Sequence, residues 1–298
     1  MTSSWKHYHT PGTIEEAIAV LHGYDGRARV IGGGTDLLVE TRRGLRRPYD
    51  AMVDASRIAG LHAISRDQEH IVIGCGVTHT EIVNDPNIIR HGTCLAESCG
   101  VIGGPQVRNT GTLAGNVAHA LPAGDGTIGL MALAGEVEIA STSGRRWMPA
   151  KDTFIGPGKS VIDRHREVLT RLRFKPTGRG EGSAFHRVMR PQGLCLPIIS
   201  MAARLAVDGD TIIAANISMG PVGPVPWFAE PAAEALIGGP AKQEQYEKAV
   251  AAVLQNVTLR TSKYRATEEY RSVMIRNYLP IILARAAERA TVEPGVEK

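Results

Sequence analysis

Aromatic residues make up only 5% of the chain, with 3 Trp, 4 Phe and 7 Tyr, so any core has to be built from aliphatic side chains. Cysteine is equally scarce: Cys75, Cys94, Cys99 and Cys195 in 298 residues cannot form the disulfide framework of a small secreted domain. The grouping of His91, Cys94 and Cys99 lacks CxxC spacing and an obvious fourth ligand, so buried or helix-surface thiols are expected, with no metal on this chain. No run approaches the roughly 18 uninterrupted apolar residues of a membrane span, and the opening MTSSWKHYHTPG lacks the apolar stretch of a signal peptide. A cytoplasmic protein without a membrane span is the expectation. The formal charge of +4 is small for a nucleic-acid partner. Its dense basic cluster, Arg42, Arg43, Arg46 and Arg47, reads as a solvated helix end. HExxH and GxSxG patterns are missing, as is any concentrated acid–base set, so no catalytic residue is assigned. With 43% hydrophobic and 21% charged residues, what is left is an ordinary globular chain, long enough for two domains.

Against these absences stand 33 glycines, two groups of which are concentrated. From Gly103 to Asp125 the chain reads GGPQVRNTGTLAGNVAHALPAGD, with neither helical nor strand periodicity. Its apolar residues and low charge argue against disorder. By itself it is either a long loop over the core or a backbone cradle for an anion, with Gly111 and Gly115 letting the main chain come close. Residues 28–39, ARVIGGGTDLLV, read as strand, tight loop and helix start. This is not a GxGxxG fingerprint, because Leu37 stands where the third glycine would be, and no Gly-Lys-Ser/Thr follows for a phosphate-binding P-loop. Alone, a plain strand-to-helix turn would explain it. Two such cradles in one domain suit a ligand with a diphosphate and a long body.

Elsewhere, Thr13 and Glu16 form a capping-box pattern ahead of a helix carrying Ala17, Ile18, Val20 and Leu21. Val30–Ile31 and Ala51–Val53 read as strands flanking a helix from Leu37 to Arg43 that ends at Gly44, a βαβ-like unit. Leu61–Ile64 and His70–Ile73 suggest a hairpin. Thr78–Val83 and Gly92–Cys99 read as helices separated by Pro86, and Thr127–Ala134 as a small apolar helix. Strands are expected at Val137–Ile139, Arg145–Met148 and Glu167–Phe174. Lys175–Gly180 has the composition of a linker. Beyond it, Ile198–Val207 and Thr211–Met219 flank Asp208-Gly209-Asp210, a hairpin signal. Helices follow at Glu230–Leu236 and Gln243–Val257. A last one at Thr267–Arg289 has Tyr270, Val273, Met274, Tyr278, Ile281 and Ile282 at helical spacing and a kink or break at Pro280.

The pair IGGGTDLL (Ile31 to Leu38) and NTGTLAGNVAHALPAGD (Asn109 to Asp125) resembles the flavin-binding medium subunit of the molybdenum hydroxylases, the relatives of xanthine and carbon monoxide dehydrogenase. The resemblance extends to GPVGPVP (Gly220 to Pro226) and RTSKYRATEEYR (Arg260 to Arg271). It implies an α+β fold: a two-subdomain FAD-binding domain of the vanillyl-alcohol-oxidase (PCMH) type over residues 1–177, with subdomains of about 1–55 and 56–177. A smaller domain of antiparallel sheet plus helices would follow at 178–298. One non-covalent FAD would lie with its diphosphate on Val30, Ile31, Gly32, Gly33, Gly34, Thr35 and Asp36. Gly111, Thr112, Ala114, Gly115, Asn116 and His119 would continue the contacts. Thr112–Asn116 matches the family's TIGGN with Ala114 in place of a glycine. Asp125 would hydrogen-bond the polar body of the flavin, Ile102 and Leu169 would line it, and His186 stands where some relatives carry a lysine near the ring. The molybdenum cofactor and [2Fe-2S] clusters would reside only on a large and a small partner subunit, in a dimer of heterotrimers. This chain would pass electrons to NAD, a quinone or oxygen. A free-standing flavin oxidoreductase of the same fold and a non-catalytic nucleotide-binding or assembly protein are the alternatives.

Overall fold

The computed structural model describes residues 5–45, 48–190, 196–263 and 265–291. The first unit is a three-stranded parallel sheet. Its elements are β1 (Trp5–His9), α1 (Ile14–Gly23), β2 (Ala28–Ile31), α2 (Leu37–Arg42) and β3 (Tyr49–Asp54), in strand order β1-β3-β2. β1 gave no sequence signal, because its mostly exposed WKHYH has no apolar alternation. Thr13 caps α1 by accepting from the Glu16 amide, whereas the Glu16 carboxylate returns to the Gly12 amide rather than to that of Thr13. The α1 face that is buried comprises Ile14, Ala17, Ile18 and Leu21.

The second unit starts with β4 (Ile64–Arg66) and β5 (Ile71–Gly74). Six helices follow: α3 (His79–Asn84), α4 (Pro86–His91), α5 (Thr93–Gly100), α6 (Pro105–Arg108), α7 (Leu113–His119) and α8 (Asp125–Ala132). Strands β6 (Glu136–Ser141), β7 (Gly144–Pro149), β8 (Phe154–Gly156), β9 (Lys159–Ser160) and β10 (Val168–Phe174) complete it. The antiparallel sheet has the order β4-β5-β10-β6-β7. Pro86, expected to separate helices, opens one: it sits in the first turn of α4, where its missing N–H has no intrahelical acceptor to lose. Likewise the stretch 103–125 is not wholly irregular, since α6 and α7 fold inside it. Their four and seven residues are too short for a periodicity to emerge.

The third unit is an antiparallel sheet, β11 (Glu181–Val188), β12 (Ile199–Asp208), β13 (Thr211–Gly220) and β14 (Trp227–Phe228), in that order. It is backed by α9 (Glu230–Glu234), α10 (Gln243–Asn256) and α11 (Glu268–Thr291). The expected hairpin forms, with Gly209 at φ +55°. α11 runs through Pro280 without a break. Its buried stripe takes in only part of the expected set: Met274 and Ile282 are buried, Tyr270, Val273 and Ile281 are exposed, and Arg271, Ala286, Ala287 and Ala290 also face inward. Small residues are needed there because α11 lies against β11, where a Cβ on Gly182 would come within 2.2 Å of the Ala286 carbonyl oxygen.

Of three hydrophobic clusters among the described residues, the two larger, one mainly through the first two units and one in the third, meet where α8 packs on β12 and β13. Every residue of α8 is buried, as its DGTIGLMA sequence without a polar face requires. On one side Gly129 admits the Ser98 side chain of α5. On the other, Ser218 of β13 donates to the Ile128 carbonyl at 2.6 Å and Ser200 of β12 donates to Asp125. The segment after β10 is less free than its composition suggests: Thr177 is buried and its carbonyl accepts from the His91 ring at 2.8 Å.

Candidate functional site

β2 delivers the chain to Gly32–Gly34, and Gly34 turns it in the left-handed region at φ +68° before α2 begins. Among the described residues, the amides of Gly33, Gly34 and Thr35 donate to no backbone carbonyl, so they are left to face a ligand. Thr112 opens α7, its hydroxyl accepting from the Gly115 amide at 3.0 Å. The two glycine stretches touch. A Cβ on Gly33 would stand 1.9 Å from the Thr110 carbonyl oxygen and 2.9 Å from Gly111 Cα, and one on Gly32 would be 3.3 Å from the Thr112 hydroxyl. The Gly111 carbonyl accepts from the His79 amide at 2.9 Å, which fixes the second loop against α3.

Together they open onto a cavity of about 690 Å³. Val30, Ile31, Gly32, Gly33, Gly34, Thr35, Asp36, Ile102, Gly111, Thr112, Ala114, Gly115, Asn116, His119, Asp125 and Leu169 all line it. His186 does not. Strand alternation turns it to the other face of β11, where its ring stacks on Tyr278 at 4.6 Å and 13°. The adjacent Arg187 points into the cavity instead. Three of the expected contact residues also have work within the protein. Asn116, which lines the cavity, accepts at Oδ1 from the Thr127 amide and hydroxyl. His119 Nε2 is 3.5 Å from Glu40 of α2. Asp125 accepts from Arg187 at 2.9 Å and from Ser200 at 2.5 Å. Burial pushes its carboxyl up to about 6, against the pull of Arg187 and Ser200.

Five arginines absent from the expected set share this lining: Arg29, Arg164, Arg187, Arg260 and Arg265. Arg29 is buried and donates to the Tyr49 hydroxyl, while Arg164 holds the Gly158 carbonyl and presents its own carbonyl to the Val30 amide. Only Arg187 carried a usable signal, the two-residue period of β11. Arg29 lies in β2, and Arg164, Arg260 and Arg265 come from loops far apart in sequence. The Nε atoms of Arg187 and Arg260 are buried without a hydrogen-bond partner. A dinucleotide fits these features. The glycine loops supply amides where any side chain would block approach, the arginines supply positive charge, and Ile102, Val107 and Leu169 supply an apolar wall.

The thiols stand apart from this site in chemistry. Burial pushes Cys75 and Cys94 up to about 12 and Cys99 up as well, so all three are inert neutral groups. His91 spends both ring nitrogens, on Thr177 and on Arg66. Among the described residues no group of three or more His, Cys, Asp or Glu side chains is placed to hold a metal ion, and no helix is long and apolar enough to cross a membrane. Cys195, Arg46 and Arg47 lie outside the described residues.

Residues 3–175 match the family model described as the FAD binding domain in molybdopterin dehydrogenase, and residues 183–286 match that of the CO dehydrogenase flavoprotein C-terminal domain. The chain is 31% identical over 245 residues to the nicotinate dehydrogenase FAD-subunit of Eubacterium barkeri, covering 80% of this chain and 82% of that one. It is 29% identical over 283 residues to the carbon monoxide dehydrogenase medium chain of Afipia carboxidovorans, covering 95% and 96%. Its fold superposes with a TM-score of 0.89, at 26% identity and over 95% and 97% of the two chains, on a carbon monoxide dehydrogenase chain from Hydrogenophaga pseudoflava. A glycine-cradled cavity in a mixed helix-and-sheet domain followed by a smaller sheet domain is thus what these proteins share, and the chain belongs to the FAD-binding subunits of the molybdenum hydroxylases, the xanthine and carbon monoxide dehydrogenase family.

Proposed function

We propose that this chain is the electron-transfer flavoprotein of a three-subunit hydroxylase. It would receive electrons from [2Fe-2S] clusters on a small partner and pass them to a soluble acceptor, while substrate is oxidised at molybdenum on a large partner. A dimer of such heterotrimers is the proposed assembly, with 1–177 as the FAD domain and 178–298 as the smaller one. The observation that carries this reading is the single cavity on which both glycine loops and the third unit converge. FAD bound there supplies redox chemistry that takes electrons singly and releases them in pairs.

The chain's own residues position and shield. The amides of Gly33, Gly34 and Thr35 and the Thr112–Gly115 turn would hold the diphosphate. The Asn116 amide would reach the polar body of the cofactor. Ile102 and Leu169 would cover its ring and keep water from it. Arg187, fixed by Asp125, would place a positive charge beside it. Asp125 is the one lining carboxyl with a raised pKa, but both of its oxygens are engaged by the protein. That argues for positioning rather than for the proton transfer a free-standing oxidoreductase would need. The test is purification of the tagged chain from its own host. Flavin absorbance together with stoichiometric molybdenum and iron in the co-purifying subunits is expected. A lone yellow chain that turns over an organic substrate unaided would overturn the proposal.

A further inference from the structure

The outer edge of the first sheet carries a group of side chains that the cavity does not use. β1 is the edge strand there, paired with β3. Strand alternation puts His7 and His9 on one face and turns Lys6 to the other, where Asp50 holds it at 2.9 Å. The registers His7↔Ala51 and His9↔Val53 place both imidazoles on the α1 side of the sheet, because Ala51 and Val53 belong to the cluster that buries α1. Tyr24, the C-cap of α1, meets them there. The three rings form a near-regular triangle, with centroids 6.4 Å apart for His7 and His9, 6.2 Å for His7 and Tyr24, and 5.5 Å for His9 and Tyr24. None of the three lines the cavity.

The donor atoms have the spacing of ligands. His9 Nε2 and the Tyr24 hydroxyl are 2.9 Å apart, and two donors bound at right angles, each about 2.0–2.1 Å from one metal ion, are separated by about 2.9 Å. A histidine–tyrosine hydrogen bond has the same length, but it accounts for those two residues alone. His7 is exposed, and among the described residues its ring makes no hydrogen bond. Two imidazoles bound to one ion bring their centroids to about 4.5–5.5 Å, so a turn of the free His7 ring by about 1 Å completes the set. The C-terminal end of α1 adds the negative pole of a helix dipole, which favours a cation. Imidazole and phenol donors suit a divalent ion of the nickel, copper and zinc series, whereas magnesium and calcium take oxygen ligands only. The third donor is a phenol, which is why no trio of His, Cys, Asp or Glu side chains marks the place.

We propose that His7, His9 and Tyr24 form a site for one divalent transition-metal ion, with water completing its coordination. On binding, the hydrogen bond between His9 and Tyr24 is exchanged for two bonds to the ion, and the phenol proton leaves to solvent. The ion ties the edge strand β1 to the end of α1. It thereby braces the unit whose β2 delivers the first glycine loop.

The experiment uses the full chain, its purification tag removed and trace metal taken out by dialysis against a chelator. Ni²⁺ is titrated by calorimetry in excess Mg²⁺, and Cu²⁺ is added below one equivalent for electron paramagnetic resonance. One Ni²⁺ per chain is expected, undisturbed by Mg²⁺, together with a Cu²⁺ spectrum showing coupling to two imidazole nitrogens. His7→Gln should weaken Ni²⁺ binding by about 100-fold and Tyr24→Phe by about 10-fold, the range typical when one partner of a metal site is lost. His7→Gln should also leave a single coupled nitrogen. It has no side-chain hydrogen bond to lose, so the metal-free variant should melt as wild type does. Added Ni²⁺ should raise the melting temperature of wild type and not of this variant. The proposal is overturned if Ni²⁺ binding does not saturate below a millimolar, if either variant binds Ni²⁺ as wild type does, or if the Cu²⁺ spectrum of His7→Gln keeps two nitrogens.

Discussion

Replacing Gly33 by alanine should abolish tight FAD binding while the chain still folds. The added methyl group would stand 1.9 Å from the Thr110 carbonyl oxygen, with ordinary contact beginning at 3.4 Å, so the two loops must part by about 1.5 Å. Both sides of that contact are main chain, so no rotamer change relieves it. Overpacking of this kind costs about 1–3 kcal/mol, which a domain of this size survives. The ligand suffers more. A shift of that size takes an amide from hydrogen-bonding distance to well outside it, and each charge-assisted bond lost is worth about 1.5–3 kcal/mol, roughly 10- to 150-fold in affinity. With at least one amide from each loop disengaged, the dissociation constant should rise by about 100-fold or more. The assay is fluorescence titration of FAD into the flavin-free protein, backed by the flavin-to-protein ratio after desalting and by circular dichroism. Gly23→Ala, at a site with nothing within 4 Å of the added group, is the control. A Gly33→Ala protein that binds FAD within twofold of wild type would show that these loops do not hold the diphosphate.

The carboxyl of Asp125, raised to about 6 by burial, binds its proton more tightly in the folded than in the unfolded chain. Its contribution to stability is therefore full below pH 4 and lost as pH rises through 6, a change of about 3 kcal/mol. Urea unfolding of the flavin-free protein at pH 4 and pH 7 should show this decrement relative to Asp125→Asn, and identical pH slopes in the two proteins would refute it. Asn116→Asp keeps the acceptor for Thr127 but turns a carboxylate toward the cavity. FAD affinity should fall about 10-fold or more with the melting temperature of the flavin-free chain within a few degrees of wild type, and unchanged affinity would count against contact with the cofactor. Arg271→Met leaves the carbonyls of Ile198, Pro221 and Arg260 without their donor and should destabilise the third unit by about 3–5 kcal/mol in chemical denaturation. A loss below 1 kcal/mol would mean that water or a shifted backbone replaces it.

What the sequence disclosed followed the range of the interactions involved. The glycine loops were legible because their geometry leaves a local mark, a main-chain contact with no room for a Cβ at Gly33 and a left-handed turn at Gly34. The β12–β13 hairpin was legible for the same reason, through its turn residues. β1 was silent because it is held by backbone pairing with β3, some 40 residues later, and buries no side chain in a pattern of its own. α11 was legible in part, Met274 and Ile282 being buried as expected; its last turns were not, because β11 lies so close there that alanines are buried. His186 was placed by resemblance, yet side-chain direction in a strand depends on parity: one residue along, Arg187 is the one that lines the cavity.

The arginine wall shows why that limit falls hardest on function. Arg29, Arg164, Arg187 and Arg260 belong to four segments that only tertiary folding brings together, and each looks like a surface residue in its own neighbourhood. What joins them is α8, a helix with no polar face. Burying it on both sides forces β12 and β13 of the third unit against the FAD domain, and this contact carries Ser200 to Asp125 and Arg187 to the cavity. The seam between the domains is therefore part of the site's construction. Asp125, the first residue of α8, joins helix, strand and cavity through two hydrogen bonds. Loosening α8, for example by Gly129→Ala against the Ser98 side chain, should thus weaken FAD binding from a position that never touches the cavity. Retention of full affinity in that variant would mean that the FAD domain holds its cofactor without the third unit.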